Sequence, residues 1–200
     1  MFAVFNCLAA GPPSWLGRMS IRLFAALAIP EDVVERLLAL QKGVPGAKWR
    51  PREALHLTLR FFGEIAEPLA NDVDEELAHL GDRTASFELQ LKGAGAFGKA
   101  DPHTLWIGAR ESPGLKKLAA DCERAARRLG LEAETRKFTP HVTLAYLSNA
   151  EPGRVQNFQS RLGLFESRPF AVERFGLYSS WKRKAASNLY RMESEYLLLG

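Results

Sequence analysis

His56-Leu57-Thr58-Leu59 and His141-Val142-Thr143-Leu144 are two copies of one short pattern in this chain. Each copy has a histidine and a threonine two positions apart, with aliphatic residues between and after them. On a β-strand, residues i and i+2 point to the same face. Each copy therefore predicts a strand that presents an imidazole and a hydroxyl on one face and buries aliphatic side chains on the other. Two such strands facing each other would surround one small polar site with two histidines and two threonines.

The composition is that of an ordinary globular protein, with 46% hydrophobic and 25% charged residues among 200. This length fits one domain, or two small lobes that share a core. The net charge of +4 is compatible with a polyanionic partner but does not require one. Cys7 and Cys122 lack the spacing of a metal site or a disulfide framework, which favours a reducing cytoplasm. No apolar run approaches the roughly 18 residues that span a bilayer, so we expect no membrane association, and we expect a monomer.

The first 18 residues form a separate stretch. They begin with an apolar run, but no basic residue precedes it, as would be typical of a signal peptide. Met19 is followed at once by a segment with the pattern of a buried strand. We therefore expect residues 1–18 to be an N-terminal extension outside the main fold, and residues 19–200 to form a single bilobal domain.

Hydrophobic periodicity and turn residues predict a mixture of strands and helices. Strands are expected at 20–28, 55–62, 87–91, 104–109, 141–147, 170–178 and 188–198; helices are expected after Pro30 and at 67–80, 113–129 and 152–162. The connections from 91 to 104 and from 178 to 188 are too short for a crossover helix, which favours antiparallel pairing. The fold class is therefore α+β: two pseudo-symmetric lobes, each with a mainly antiparallel sheet, flanking helices and a motif strand at its centre.

Glycines and polar residues predict where these elements end. Gly63 is expected to end the first motif strand. Gly93, Gly95 and Gly98 are expected to loosen the chain around Phe97, and a polar, basic loop is expected from Ser179 to Ser187.

Two histidines on opposite sides of a phosphate suit the hydrolysis of a cyclic phosphodiester. One takes a proton from the attacking water and the other donates a proton to the leaving sugar oxygen, and each transfer contributes on the order of 10²–10⁴ in rate. An ordinary imidazole pKa near 6.5 allows both protonation states near neutral pH. Hydroxyls of Thr58 and Thr143 can donate hydrogen bonds to the non-bridging oxygens. The scheme requires no metal and no cofactor.

Further candidates surround the motifs. Strict alternation would place Arg60 on the face of Thr58, where it could bind the phosphate. Trp49, Phe97 and Trp181 could stack on a base, and Arg136 could contact RNA; the alternatives are core packing for the aromatic residues and an ordinary solvated surface for the arginines.

At these residues the sequence resembles the two-histidine (2H) phosphoesterase superfamily. More narrowly, it resembles the bacterial and archaeal RNA 2′,3′-cyclic phosphodiesterases, also called 2′-5′ RNA ligases. The resemblance runs from Ile21 to the C-terminus and includes the segments Arg22-Leu23-Phe24, Leu55–Gly63, Phe138–Leu144 and Leu177-Tyr178-Ser179.

The resemblance implies a function and roles for the motif residues. It implies a bilobal fold with the active-site cleft between the lobes. It also implies hydrolysis of 2′,3′-cyclic phosphate ends of RNA to 2′-phosphomonoesters, with His56 as the acid and His141 as the base. In one respect the chain departs from the family, which often carries an arginine where this chain has Tyr146, so a cationic phosphate contact is expected to be missing there.

Three other functions compete with this hypothesis. The same site could carry out 2′-5′ ligation of RNA or tRNA halves. The chain could be a non-catalytic nucleotide- or RNA-binding module, although binding alone would not need two ionisable groups. A hydrolytic zinc site is disfavoured, because two histidines without a carboxylate or cysteine at ligand spacing fall short of a usual zinc shell.

Overall fold

The computed structural model describes residues 20–98, 101–181 and 188–200. Its ten strands are β1 Ile21–Ala28, β2 Lys48–Trp49, β3 His56–Ile65, β4 Phe87–Leu89, β5 Leu91–Phe97, β6 Thr104–Ala109, β7 His141–Tyr146, β8 Phe170–Val172, β9 Arg174–Trp181 and β10 Leu189–Leu197. Its four α-helices are α1 Glu31–Leu40, α2 Glu67–Asp82, α3 Pro113–Arg128 and α4 Pro152–Leu162, and a 3₁₀ turn covers Arg52–Ala54. The predicted extension at residues 1–18 lies outside the described residues.

Eight strands form one sheet in the order β10-β9-β1-β3-β7-β6-β5, with β2 paired to β7. Every strand pairing in these described segments is antiparallel. The remaining two strands, β4 and β8, pair with each other in a small second sheet. The antiparallel α+β fold expected from the sequence is therefore confirmed.

The large sheet has two halves. The terminal half contains β1, β3, β9 and β10, and the central half contains β2, β5, β6 and β7. A single register pair, Leu57 with Val142, joins β3 of one half to β7 of the other. The two expected lobes are thus two halves of one sheet, and the two motif strands lie at the line where the halves meet.

Helices cover the sheet because each presents an apolar stripe. The helices α2 and α3 contact each other; α2 also contacts β1, β9 and β10, and α3 contacts β3. The helix α4 contacts β5 of the central half. At the start of α3, the Ser112 hydroxyl accepts a hydrogen bond from the Leu115 amide, which satisfies one of the free donors of the first turn. Leu57, Val142 and Leu144 are fully buried in the resulting core, as the alternation in the motifs predicts.

Several element boundaries differ from the prediction. The strand β3 continues through Gly63, which adopts a positive φ of 85°, and ends at Ile65. The segment at Gly93 and Gly95 forms β5, because β6 lies beside it and supplies backbone hydrogen-bond partners. The strand β9 extends to Trp181, so it includes the first residues of the expected loop. The remainder of that loop, residues 182–187, lies outside the described residues.

Candidate active site

The register of β3 and β7 brings the two motifs side by side. Leu57 and Val142 are the paired residues, and both are buried on the core face. One step to either side along antiparallel strands, this register sets His56 against Thr143 and Thr58 against His141. The two imidazoles and two hydroxyls thus form a quartet around a local two-fold relation, on the face opposite to Leu57 and Val142.

The quartet lines a cavity of about 230 Å³ at the junction of the two halves. The strands β1, β3, β7, β9 and β10 and the segment from Arg50 to Ala54 contribute its walls. The described lining residues are Arg22, Phe24, Arg50, Ala54, His56, Thr58, Phe61, His141, Thr143, Tyr146, Ser180, Asn188 and Tyr190. All four histidine and threonine positions expected from the sequence therefore lie at one site.

Arg60 does not belong to this cavity, so the prediction that it shares a face with Thr58 is wrong. A bulge at Leu59 interrupts the pairing of β3 with β1. Arg60 pairs with Ala25 and Thr58 pairs with Ala26, so Leu59 has no partner in β1. The extra residue reverses the alternation. Arg60 is buried on the helix side, where it forms an ion pair with Glu123 and donates to the backbone carbonyls of Phe61 and Glu132. Phe61 lines the cavity instead.

Two arginines that sequence reasoning did not single out supply the positive charge of the site. The Arg22 guanidinium lies 4.6 Å from the centre of the Phe61 ring, at the exposed rim. Arg50 is only 5% exposed and lies over the ring of Tyr146. The sequence did offer signals for both: Arg22 lies in one of the segments that carry the family resemblance, and Arg50 follows Trp49 just ahead of the first motif.

His141 has a defined tautomer. Its Nδ1 lies 2.7 Å from the carbonyl oxygen of Thr139. A carbonyl only accepts, so Nδ1 carries a proton and Nε2 is the atom that exchanges a proton with a substrate. The edge of the Phe97 ring contacts the imidazole at a centroid distance of 4.9 Å. Burial lowers the pKa of His141, and the hydrogen bond to Thr139 acts in the opposite direction.

His56 lies in an aromatic enclosure. Its ring centre is 4.9 Å from that of Phe24, 5.1 Å from that of Tyr190 and 6.1 Å from that of Tyr178. Burial, the Arg50 charge and the neighbouring His141 together lower the pKa of His56 to about 4. The imidazole of the free protein is consequently neutral at pH 7.

The other candidate contact residues lie outside the lining of the cavity. Trp49 is half-buried against Phe158, and Trp181 packs against the core while its indole N–H donates to Ser179 at 2.7 Å. Phe97 touches the site only through His141. Arg136 is exposed and ion-paired with Glu134. Trp49 and Trp181 are thus partly buried against the core, and a role for either in base stacking stays a prediction.

Across residues 20–98, 101–181 and 188–200, no group of three or more histidine, cysteine, aspartate or glutamate side chains is placed to hold a metal ion. In the same segments, none of the helices is long and apolar enough to span a bilayer.

Comparison with known proteins places this chain among a set of close relatives. The family model described as "2'-5' RNA ligase superfamily" matches residues 29–183. The RNA 2′,3′-cyclic phosphodiesterase of Thermotoga maritima is 32% identical over 171 residues, which cover 80% of this chain and 87% of that protein. The crystal structure of TT0787 from Thermus thermophilus superposes with a TM-score of 0.76 at 28% identity, over 90% of this chain and 99% of that one. The structure of E. coli LigT with 3′-AMP gives a TM-score of 0.74 at 25% identity, with the same coverage.

Proposed function

Since the chain belongs to the 2′-5′ RNA ligase superfamily, we propose that it hydrolyses 2′,3′-cyclic phosphate ends of RNA to 2′-phosphomonoesters. The Thermotoga relative is named for this activity, and E. coli LigT has been solved with a nucleotide. The observation that carries the proposal is the quartet of His56, Thr58, His141 and Thr143 around one cavity. Two imidazoles and two hydroxyls supply the proton transfers and hydrogen bonds that the reaction needs.

The reaction breaks one P–O bond and forms another. The oxygen of a water molecule attacks phosphorus while His141 Nε2 takes one of its protons. The bond from phosphorus to the 3′ oxygen breaks, and His56 donates a proton to that oxygen. Thr58 and Thr143 donate hydrogen bonds to the non-bridging oxygens, where negative charge develops. At the end His141 is protonated and His56 is neutral, so proton exchange with solvent restores the starting state.

The assignment of His56 as the acid follows the family resemblance. To act as the acid, His56 must carry a proton when the substrate is bound. With a pKa of about 4 in the free protein, His56 must gain its proton as the substrate binds. Burial is the main cause of the low pKa of His56, and the Arg50 charge adds to it. A bound phosphodiester brings a negative charge beside both groups, which offsets the contribution of Arg50. We therefore expect the pKa of His56 to rise when the substrate binds.

Ligation is the second candidate, favoured by the name of the matching family. The 5′ hydroxyl of a second RNA would replace water as the nucleophile, and the same 3′ oxygen would leave. The deciding experiment incubates an RNA oligomer that ends in a 2′,3′-cyclic phosphate, with and without an excess of RNA carrying a 5′ hydroxyl, and resolves the products by gel. We expect the hydrolysed end to dominate in both. A dominant joined product would make ligation the main activity, and binding without any product would make the chain a binding module.

We propose that residues 19–200 form a single bilobal catalytic domain, which acts as a monomer in the cytoplasm on RNA or nucleotide ends. A chain that begins at Met19 should keep both its melting temperature and its turnover of a cyclic nucleotide, with elution as a monomer in size-exclusion chromatography. A large loss of stability in the shortened chain would refute the domain boundary.

A further inference from the structure

Arg50 is a buried cation with a fixed backbone. Its amide donates to the carbonyl of Leu144 at 2.8 Å, and its own carbonyl accepts a hydrogen bond from the Gln41 side chain, also at 2.8 Å. The first bond continues the pairing of β2 with β7, and the second ties position 50 to the end of α1. The backbone of Arg50 is therefore held from both sides, by β7 and by the end of α1.

Two aromatic rings hold the guanidinium. Its central carbon lies 5.1 Å from the centre of the Tyr146 ring and 5.4 Å from that of the Tyr190 ring. Cation–π contacts of this length orient a guanidinium but leave its N–H groups available for an anion. Both tyrosines line the cavity with Arg50, so the available donors lie at the wall of the site.

A carboxylate partner is missing where it would be expected. Within the described segments, Arg50 forms no ion pair, whereas Arg60, which is about as buried, is paired with Glu123. A buried charge is costly unless an opposite charge compensates it. The contrast indicates that the counter-ion of Arg50 is an anion from outside the chain.

We propose that Arg50 is the phosphate-binding group of this site, held in place by Tyr146 and Tyr190. Its N–H groups would bind a non-bridging oxygen of the phosphate between the two histidines, and the ligand is an anionic phosphodiester or phosphomonoester. The identity of this anion as an RNA end rests on the proposed function. Tyr146 then supports the Arg50 guanidinium, and Arg50 supplies the cationic phosphate contact that an arginine at position 146 would otherwise make.

The neighbouring position allows a test in which the charge is moved. Because the Tyr146 ring lies under the Arg50 guanidinium, an arginine at 146 would bring a guanidinium to nearly the same place. The single variants are Arg50→Gln and Arg50→Lys, and the exchange variant combines Arg50→Gln with Tyr146→Arg. The control is Arg128→Gln, because Arg128 is paired with Glu76 on the helix side. Binding of inorganic phosphate is measured by calorimetry and hydrolysis of cytidine 2′,3′-cyclic phosphate by kcat/KM, with thermal unfolding recorded for each variant.

The expected results distinguish the loss of the Arg50 charge from a general loss of stability or structure. Arg50→Gln should lower kcat/KM by about 100-fold, the order of one lost transition-state contact, and should weaken phosphate binding at least tenfold. The exchange should recover most of both losses, and Arg128→Gln should match the wild type. Arg50→Lys keeps the charge but loses the planar fork, so it should bind phosphate several-fold less tightly than wild type.

Two results would overturn the proposal. One is phosphate binding by Arg50→Gln within threefold of the wild type, and the other is a folded exchange variant as weak as Arg50→Gln. If the glutamine variants unfold, Arg50→Lys decides, and wild-type affinity in that variant counts against the proposal. Phosphate binding that depends on Arg50 in a protein without hydrolytic activity would refute the proposed function and leave the role of Arg50 standing.

Discussion

The Nδ1 atom of His141 lies 2.7 Å from the carbonyl oxygen of Thr139, two residues upstream. This hydrogen bond fixes the orientation of the imidazole ring and leaves Nε2 as the atom that can exchange a proton with a substrate. His56 has no such carbonyl contact among the hydrogen bonds formed within residues 20–98, 101–181 and 188–200, and aromatic rings position it instead. The two histidines therefore occupy equivalent positions in the two motifs but lie in different environments.

The acid and base roles can be separated by changing the leaving group. In a 2′,3′-cyclic phosphate with sulfur in place of the 3′ oxygen, the leaving thiolate needs no proton, because a thiol pKa is near 8.5. His56→Ala should lose on the order of 10²–10⁴ in kcat on the oxygen substrate and recover most of it on the sulfur substrate. His141→Ala should be impaired equally on both. Recovery by His141→Ala instead would exchange the two roles.

Stability should fall in mild acid because His56 is buried as the neutral form. Its pKa is about 4 in the folded protein and 6.5 in the unfolded chain. Between these values the unfolded chain binds the extra proton, so the stabilisation from this group is complete above pH 6.5 and is lost as the pH falls towards 4. From pH 7 to 4.5 this loss is roughly 2–3 kcal/mol.

Urea unfolding at several pH values checks this prediction. His56→Gln has no titrating group at this position, so its free energy of unfolding should decrease less than that of the wild type over the same range. Parallel pH curves for the two proteins would contradict the account of His56 burial.

Arg60 should matter for stability and not for catalysis. Arg60→Met leaves the partly buried Glu123 carboxylate without this cation, and loss of one partner of such a pair costs about 1–3 kcal/mol. The double variant Arg60→Met with Glu123→Leu should regain much of that stability. Both variants should keep kcat/KM within about threefold of the wild type when folded, as measured by urea unfolding and turnover.

Arg50→Gln provides the matched comparison for Arg60→Met, because each variant removes one buried arginine. A loss of phosphate binding on removal of Arg60 would show that the bulge does not turn this residue away from the site.

The motifs predicted the quartet because period-2 alternation holds across three residues of each strand. The same rule failed two residues later at Arg60, because the bulge at Leu59 depends on pairing with β1, a partner that local sequence does not specify.

Arg50 was missed for a related reason. It belongs to no motif, and it reaches the cavity only because the two-residue strand β2 pairs with β7, almost one hundred residues away in the sequence. The antiparallel topology was predictable from connection lengths, whereas β5 was not, since its glycines favour a loop in isolation.

The most direct test follows the product of a single turnover by phosphorus NMR. Cytidine 2′,3′-cyclic phosphate is incubated in ¹⁸O-labelled water with the wild type, with His56→Ala and with His141→Ala, in the presence of EDTA. The account predicts that the wild type yields the 2′-phosphomonoester with one ¹⁸O on phosphorus, and that each variant, although folded, yields almost none. A 3′-phosphomonoester would contradict the 3′ oxygen as the leaving group, and turnover near the wild-type rate in either histidine variant would contradict the two-histidine mechanism.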